Sequence, residues 1–142
     1  MKVLFVCTGN TCRSPMAELY FRKLLRSRGV SGIETASAGI AAFANTPMSD
    51  AACEAVASYG IDGTAFRSTA LSLPLIDSSD MIVAMTSAHL DAICRAVPSC
   101  RERSSILMEH AGCDRDIPDP FGFDAGHYKK VLDYMIPALE KL

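Results

Sequence analysis

The chain has 142 residues and a mass of 15.2 kDa, enough for a single domain over residues 1–142. Hydrophobic residues make up 49% and charged residues 21%, a globular balance that excludes disorder along most of the length. Lys and Arg number 14 against 16 Asp and Glu, so no overall basic excess points to nucleic acid or to an anionic membrane.

The first predicted element is a continuous apolar strand, Lys2–Val6, of the kind found in a sheet covered on both faces. A turn of small and polar residues follows, C-T-G-N-T-C-R-S-P, with Ser14 as candidate N-cap and Pro15 as first helical residue. From Pro15 to about Arg28, Ala17, Tyr20, Phe21, Leu24 and Leu25 recur at helical spacing, and Gly29 is a natural stop. Glu18 falls near the helix start, where the dipole favours an anion.

Ile33–Ser37 reads as a second strand, Gly39–Pro47 as a loop, and Met48–Tyr59 as a helix closed by Gly60. Leu71–Asp77 is a short helix, Met81–Met85 a buried strand, and Ser87–Ala96 a helix ended by Pro98. Ser104–Met108 is the last strand and Glu109–Phe123 a loop. Gly126–Leu142 is a closing helix with Tyr128, Val131, Leu132, Met135 and Leu139 on its core face. Strands joined through helices pair in parallel. The expected fold is therefore α/β: a three-layer sandwich with a central four-stranded parallel sheet and helices on both faces. Ligands in such folds bind beyond the carboxyl ends of the strands, and the first of these ends carries Cys7.

Cys7 and Arg13 stand in a C-x5-R spacing inside the turn between the first strand and the first helix. Unpaired N–H groups at a helix start point at one spot and bind an anion, and a turn with inward amides makes a nest for a tetrahedral oxyanion. The backbone of Thr8, Gly9, Asn10, Thr11, Cys12 and Arg13, with Ser14, would form that nest. Gly9 and Asn10 suit a turn that needs positive φ. Arg13 adds a planar fork for two phosphate oxygens. The same positive field favours a thiolate at Cys7, which can attack a bound phosphorus and form a cysteinyl-phosphate. The Ser14 hydroxyl is placed to hydrogen-bond that thiolate. A buried Cys, an ordinary cap and a surface Arg share the bare spacing. The preceding strand, Gly9-Asn10 and the Ser-Pro helix start together select the cradle.

V-C-T-G-N-T-C-R-S-P-M-A-E closely resembles the N-terminal signature of low-molecular-weight protein tyrosine phosphatases. S-A-G at Ser37–Gly39 and D-P-F-G at Asp119–Gly122 match two further family blocks in order, so the resemblance spans essentially the whole chain. It implies Cys7 as nucleophile, Arg13 as phosphate-binding arginine, Asn10 and Ser37 as a pair that holds the loop and tunes the thiolate, and Ser14 as the thiolate's partner.

A carboxylic acid within reach protonates a departing group well. Asp119 is the candidate: Pro120 stiffens its backbone toward an extended form, and in the family the D-P loop carries the general acid. Asp114 and Asp116 compete for the role but read as solvated charges or turn formers. Family members acting on phosphotyrosine often carry a bulky aliphatic residue where this chain has Thr11, and aromatic residues after D-P. Here Gly122 follows Phe121. This combination resembles the bacterial protein-arginine phosphatase subgroup. A phosphotyrosine ring needs apolar walls, whereas a polar phosphoguanidinium tolerates a hydroxyl. Phosphoarginine in proteins is the expected substrate and phosphotyrosine the alternative, with Thr11, Phe43 and Phe121 setting specificity at the rim. Inorganic phosphate is the expected product.

Of the 6 cysteines, Cys12 is either a resolving thiol for an oxidised Cys7 or a small buried filler. Cys53 reads as core, and His89 and His127 as helix-surface residues. Cys94, Cys100, His110 and Cys113 lack the close C-x2-C pair of zinc modules, and the mechanism needs no metal or cofactor. No apolar run approaches the ~20 residues of a membrane span, and residues 3–6 are too short for a signal-peptide core. A cytoplasmic setting is expected, where thiols stay reduced. Two rivals share the cradle. A thioredoxin-coupled arsenate reductase needs a relay cysteine just after the third strand, where Met85 and Thr86 stand instead. A non-catalytic oxyanion binder needs neither nucleophile nor acid.

Overall fold

The computed structural model describes residues Met1–Leu142. Four parallel strands form one sheet: β1 (Lys2–Cys7), β2 (Glu34–Gly39), β3 (Met81–Ala84) and β4 (Ser104–Ile106), in the order β2-β1-β3-β4. Five α-helices connect and close it: α1 (Arg13–Ser27), α2 (Asp50–Ala57), α3 (Leu73–Ser78), α4 (Ser87–Ala96) and α5 (Ala125–Lys141). Phe5 pairs with Ser37 on one side and Val83 on the other, and Cys7 pairs with Gly39.

Successive side chains of a strand point to opposite faces. Val3, Phe5 and Cys7 therefore join a core with Met16, Ala17 and Phe21 of α1, Ala52 and Val56 of α2, and Leu132, Met135 and Leu139 of α5. Leu4 and Val6 join a second core with Ile76 of α3, and Ile93 and Cys94 of α4. Both faces of β1 are dry, which is why its sequence is apolar without alternation. The three layers and the parallel pairing agree with the sequence expectation.

Several boundaries move. Helix α1 begins at Arg13, so Pro15 occupies its third position and Cys12 its cap position, with no side chain capping the end. Ser14 is therefore not the N-cap: it lies inside the first turn and turns its hydroxyl toward Cys7. Proline is tolerated there because its missing N–H would have had no partner within the helix. Helix α2 is shorter than Met48–Tyr59, because the Ser49 hydroxyl accepts from the Ala52 N–H and starts the helix at Asp50. β4 stops at Ile106, and a 3-10 helix over Leu107–Ala111 replaces the strand end and the start of the expected loop.

The strand order changes direction between β1 and β3, so a crevice opens beyond their carboxyl ends. The turn after β1 supplies one wall, and α4 together with the loop over residues 112–124 approaches from the other. No helix of the chain is long and apolar enough to cross a membrane.

Candidate active site

A pocket of about 240 Å3 lies in this crevice, lined by Cys7, Thr8, Gly9, Asn10, Thr11, Cys12, Arg13, Asp119 and Phe121. The sequence-predicted cradle is thus assembled in one place. The N–H groups of Thr8, Gly9, Thr11, Cys12 and Arg13 donate to no acceptor within the protein. Together with the uncapped start of α1 they form a ring of donors suited to a tetrahedral oxyanion.

Asn10 holds the curl. It is fully buried with φ at 55°, a left-handed conformation that asparagine tolerates. Its Oδ1 accepts from the Thr69 N–H at 2.8 Å, and its Nδ2 donates to Ser14 Oγ at 2.8 Å. The Asn10 N–H also donates to Cys7 Sγ, 3.3 Å away. Ser14 Oγ accepts from Asn10 and lies 2.8 Å from Cys7 Sγ, so its own hydrogen is available to the sulfur. The Asn10 N–H and the Ser14 hydroxyl thus both contact one buried sulfur. The Thr69 contribution comes from a backbone atom and carries no sequence signal.

Arg13 is buried, with its Nη1 donating to the Ile117 carbonyl at 3.1 Å and its Nη2 3.8 Å from Asp119 Oδ2. The Ile117 N–H in turn donates to the Met85 carbonyl, which ties the loop carrying Asp119 to the end of β3. Asp119 is more than half exposed and accepts from the Phe121 N–H at 3.1 Å, so its carboxylate stands at the pocket mouth. Asp116 instead accepts from the Ser87 N–H and caps α4, and Asp114 is exposed and does not line the pocket.

The remaining predicted residues divide. Thr11 lines the pocket and its carbonyl accepts from the Ser49 N–H. Phe121 lines the pocket while 77% exposed, whereas Phe43 sits on an exposed loop and is not among the lining residues. Ser37 does not reach Asn10: its hydroxyl donates to Glu18 at 2.7 Å. Glu18 is no surface anion at the helix start but a buried carboxylate, paired also with Arg22. Burial pushes its carboxyl up, against the lowering effects of Ser37 and Arg22. Cys12 is buried, with Sγ 3.4 Å from Tyr128 Oη and 3.6 Å from Ser49 Oγ. Burial and the contact with Cys12 push the Tyr128 phenol up to about 12, so it stays protonated beside the sulfur.

His89 was missed as a site neighbour. It is buried rather than on the helix surface, and its Nε2 lies 2.8 Å from Thr8 Oγ1. The signal was its place four residues before the apolar Ile93 on the inner stripe of α4. His127 is half-buried and stacks on Phe123. Cys94 and Cys100 are buried in the second core, and Cys53 and Cys113 are half-buried. No three His, Cys, Asp or Glu side chains gather into a metal-ligating group.

Residues 2–142 match the family described as low molecular weight phosphotyrosine protein phosphatase. A protein-arginine-phosphatase of Geobacillus stearothermophilus is 37% identical, over 99% of this chain and 93% of its own length. The low molecular weight protein-tyrosine-phosphatase PtpB of Staphylococcus epidermidis is 31% identical, over 100% of this chain and 96% of its own. A solved structure of the YwlE arginine phosphatase, a C7S mutant with a phosphorylated active-site serine, superposes with a TM-score of 0.93 at 34% identity, covering 99% of this chain and 92% of that one. A full-length family match, relatives above 30% identity and a closely superposing phosphatase structure agree: the chain belongs to the low-molecular-weight phosphotyrosine protein phosphatase family, as a cysteine-dependent protein phosphatase.

Proposed function

We propose that the chain removes phosphate from phosphoarginine in proteins by two-step displacement at Cys7. The carrying observation is that Thr8, Gly9, Thr11, Cys12 and Arg13, whose amides have no acceptor in the protein, line one pocket with Cys7 and Asp119. In the first step the Cys7 sulfur bonds to phosphorus as the P–N bond breaks. The electron pair goes to the leaving nitrogen, which takes a proton from Asp119. The amides from Thr8 to Arg13 and the Arg13 fork hold the three non-bridging oxygens as charge develops. In the second step Asp119 takes a proton from water, the hydroxide attacks phosphorus, and the S–P bond breaks to release inorganic phosphate. Ser14, held by Asn10, donates to the sulfur when it is an anion.

Arginine as the leaving group is supported by the polar Thr11 in the pocket wall and by similarity to proteins named arginine phosphatases. Phosphotyrosine is the second reading, favoured by the exposed Phe121 ring at the mouth. Paired phosphoarginine and phosphotyrosine peptides of one sequence decide between them. The expected result is a higher kcat/KM for phosphoarginine, and a shift toward phosphotyrosine in Thr11→Ile. A higher value for phosphotyrosine in the unaltered chain contradicts the arginine reading, and an unchanged ratio in Thr11→Ile removes Thr11 from specificity. The partners under this reading are phosphorylated cytoplasmic proteins, without cofactor, nucleic acid or membrane.

Cys12 acts as a resolving thiol. Peroxide converts Cys7 to a sulfenic acid, the Cys12 sulfur displaces its hydroxyl as water, and the resulting disulfide is reopened by thiols. Peroxide-treated enzyme is expected to regain activity with a thiol reductant, and Cys12→Ser to regain much less. Equal recovery in Cys12→Ser contradicts the role.

A further inference from the structure

Thr8 is the first residue after Cys7, and it is held from two sides. Its carbonyl accepts from the Ala41 N–H at 3.0 Å, on the loop after β2. Its hydroxyl meets His89 Nε2 at 2.8 Å, on the first turn of α4 beyond β3. The two supports come from opposite sides of the crevice: one holds the Thr8–Gly9 peptide, the other the Thr8 side chain. Thr8 lines the pocket, and its N–H donates to no acceptor within the protein.

The tautomer of His89 follows from its surroundings. The ring is 4% exposed, and its Nδ1 is buried without a hydrogen-bond partner. Burial, then the Arg13 charge, lower its pKa to about 4, against the opposing pull of Asp116 and Asp119, so the ring is neutral at pH 7. A neutral ring carries one hydrogen. A buried N–H without an acceptor is rare and costly, so the hydrogen belongs on Nε2, which has a partner. Nε2–H then donates to Thr8 Oγ1, and the threonine hydrogen is free to turn into the pocket.

We infer that His89 is a positioning residue for the phosphate cradle: by donating Nε2–H to the Thr8 hydroxyl it holds the Thr8 side chain and leaves its hydroxyl hydrogen to point at the bound phosphoryl group. It touches neither the phosphorus nor the leaving group and acts through Thr8. The inference rests on the reading of residues 7–13 as a phosphate site.

The test uses the whole chain, with inorganic phosphate as inhibitor of aryl phosphate hydrolysis. His89→Phe and Thr8→Val are each expected to weaken phosphate inhibition about tenfold, the loss of one hydrogen bond's worth of binding. The double variant is expected to weaken it no further, because both remove the same contact. Losses that multiply, or an unchanged inhibition constant in His89→Phe, overturn the inference. A purely structural His89 would lower the unfolding midpoint without moving that constant. If His89→Phe does not fold, nitrogen NMR of the His89 ring decides. The expected signature is an Nε2–H tautomer at pH 7 whose Nε2 signal moves in Thr8→Val and on adding phosphate. An Nδ1–H tautomer, or a signal indifferent to both, overturns the inference. Failure of the phosphatase reading looks different: the unaltered chain would neither hydrolyse aryl phosphate nor bind inorganic phosphate, while the NMR comparison of His89 with Thr8→Val still reports on their contact.

Discussion

Glu18 carries a charge where the fold is dry. Its carboxylate lies between α1 and β2, held by the Ser37 hydroxyl and by Arg22, itself bonded to Thr35. Desolvation is the largest effect on it and raises its pKa above the usual carboxylate value. Below the unfolded pKa both states hold the proton and Glu18 contributes no pH dependence. As pH rises past that value the unfolded chain ionises first, so stability falls until the folded carboxyl also ionises. Glu18→Gln is expected to remove this decline. Urea unfolding across mildly acid to neutral pH checks it, and a variant that keeps the full decline contradicts it. Cys7, Asn10, Arg13 and Ser14 were legible from sequence because their chemistry acts within one short turn. The Ser37–Glu18 contact and the burial of His89 were not, since each depends on which face of a helix meets a distant strand or turn.

The strand–turn–helix of β1 and α1 works because β2 approaches it closely. A Cβ on Gly39 would collide with the Thr8 carbonyl oxygen and lie 3.0 Å from the Asn10 nitrogen, both backbone atoms of the cradle. The Gly39 N–H and carbonyl also pair with Thr69 and Leu71, so the segment that holds Asn10 is anchored to the same residue. Gly39→Ala is therefore expected to lose roughly 1–3 kcal/mol by overpacking and to raise KM for an aryl phosphate. Unfolding and steady-state kinetics measure both, and parental values for the pair contradict this role. The elements were legible wherever apolar spacing marked them: β1, β3, α1 and α5 all stand where the pattern puts them. Boundaries set by capping and by the sheet's own length were less so. The 3-10 helix over Leu107–Ala111 ends at Gly112, whose φ is 75°, a stop visible in the letters only once the helix is known.

The molecule as a whole is arranged around the change of direction between β1 and β3. β1 delivers the sulfur, α1 the free amides and the buried Arg13, and the loop tied to Met85 the carboxylate of Asp119. The parallel order β2-β1-β3-β4 brings segments more than 100 residues apart to one crevice, as in the Arg13 contact with Ile117. The fold class and the place of the site followed from alternating strands and helices. The pairing of α4 with the cradle did not, because no local pattern reports which helix covers which strand end.

Covalent capture on Cys7 tests the central claim most directly. Asp119→Asn, given p-nitrophenyl phosphate, forms the intermediate without needing an acid for its good leaving group and hydrolyses it slowly. Rapid acid quenching followed by peptide mass spectrometry is predicted to find one phosphoryl group, bonded to the Cys7 sulfur. Release of nitrophenol through repeated turnovers with no phosphoryl group on the protein, or with the group on another residue, would contradict the account.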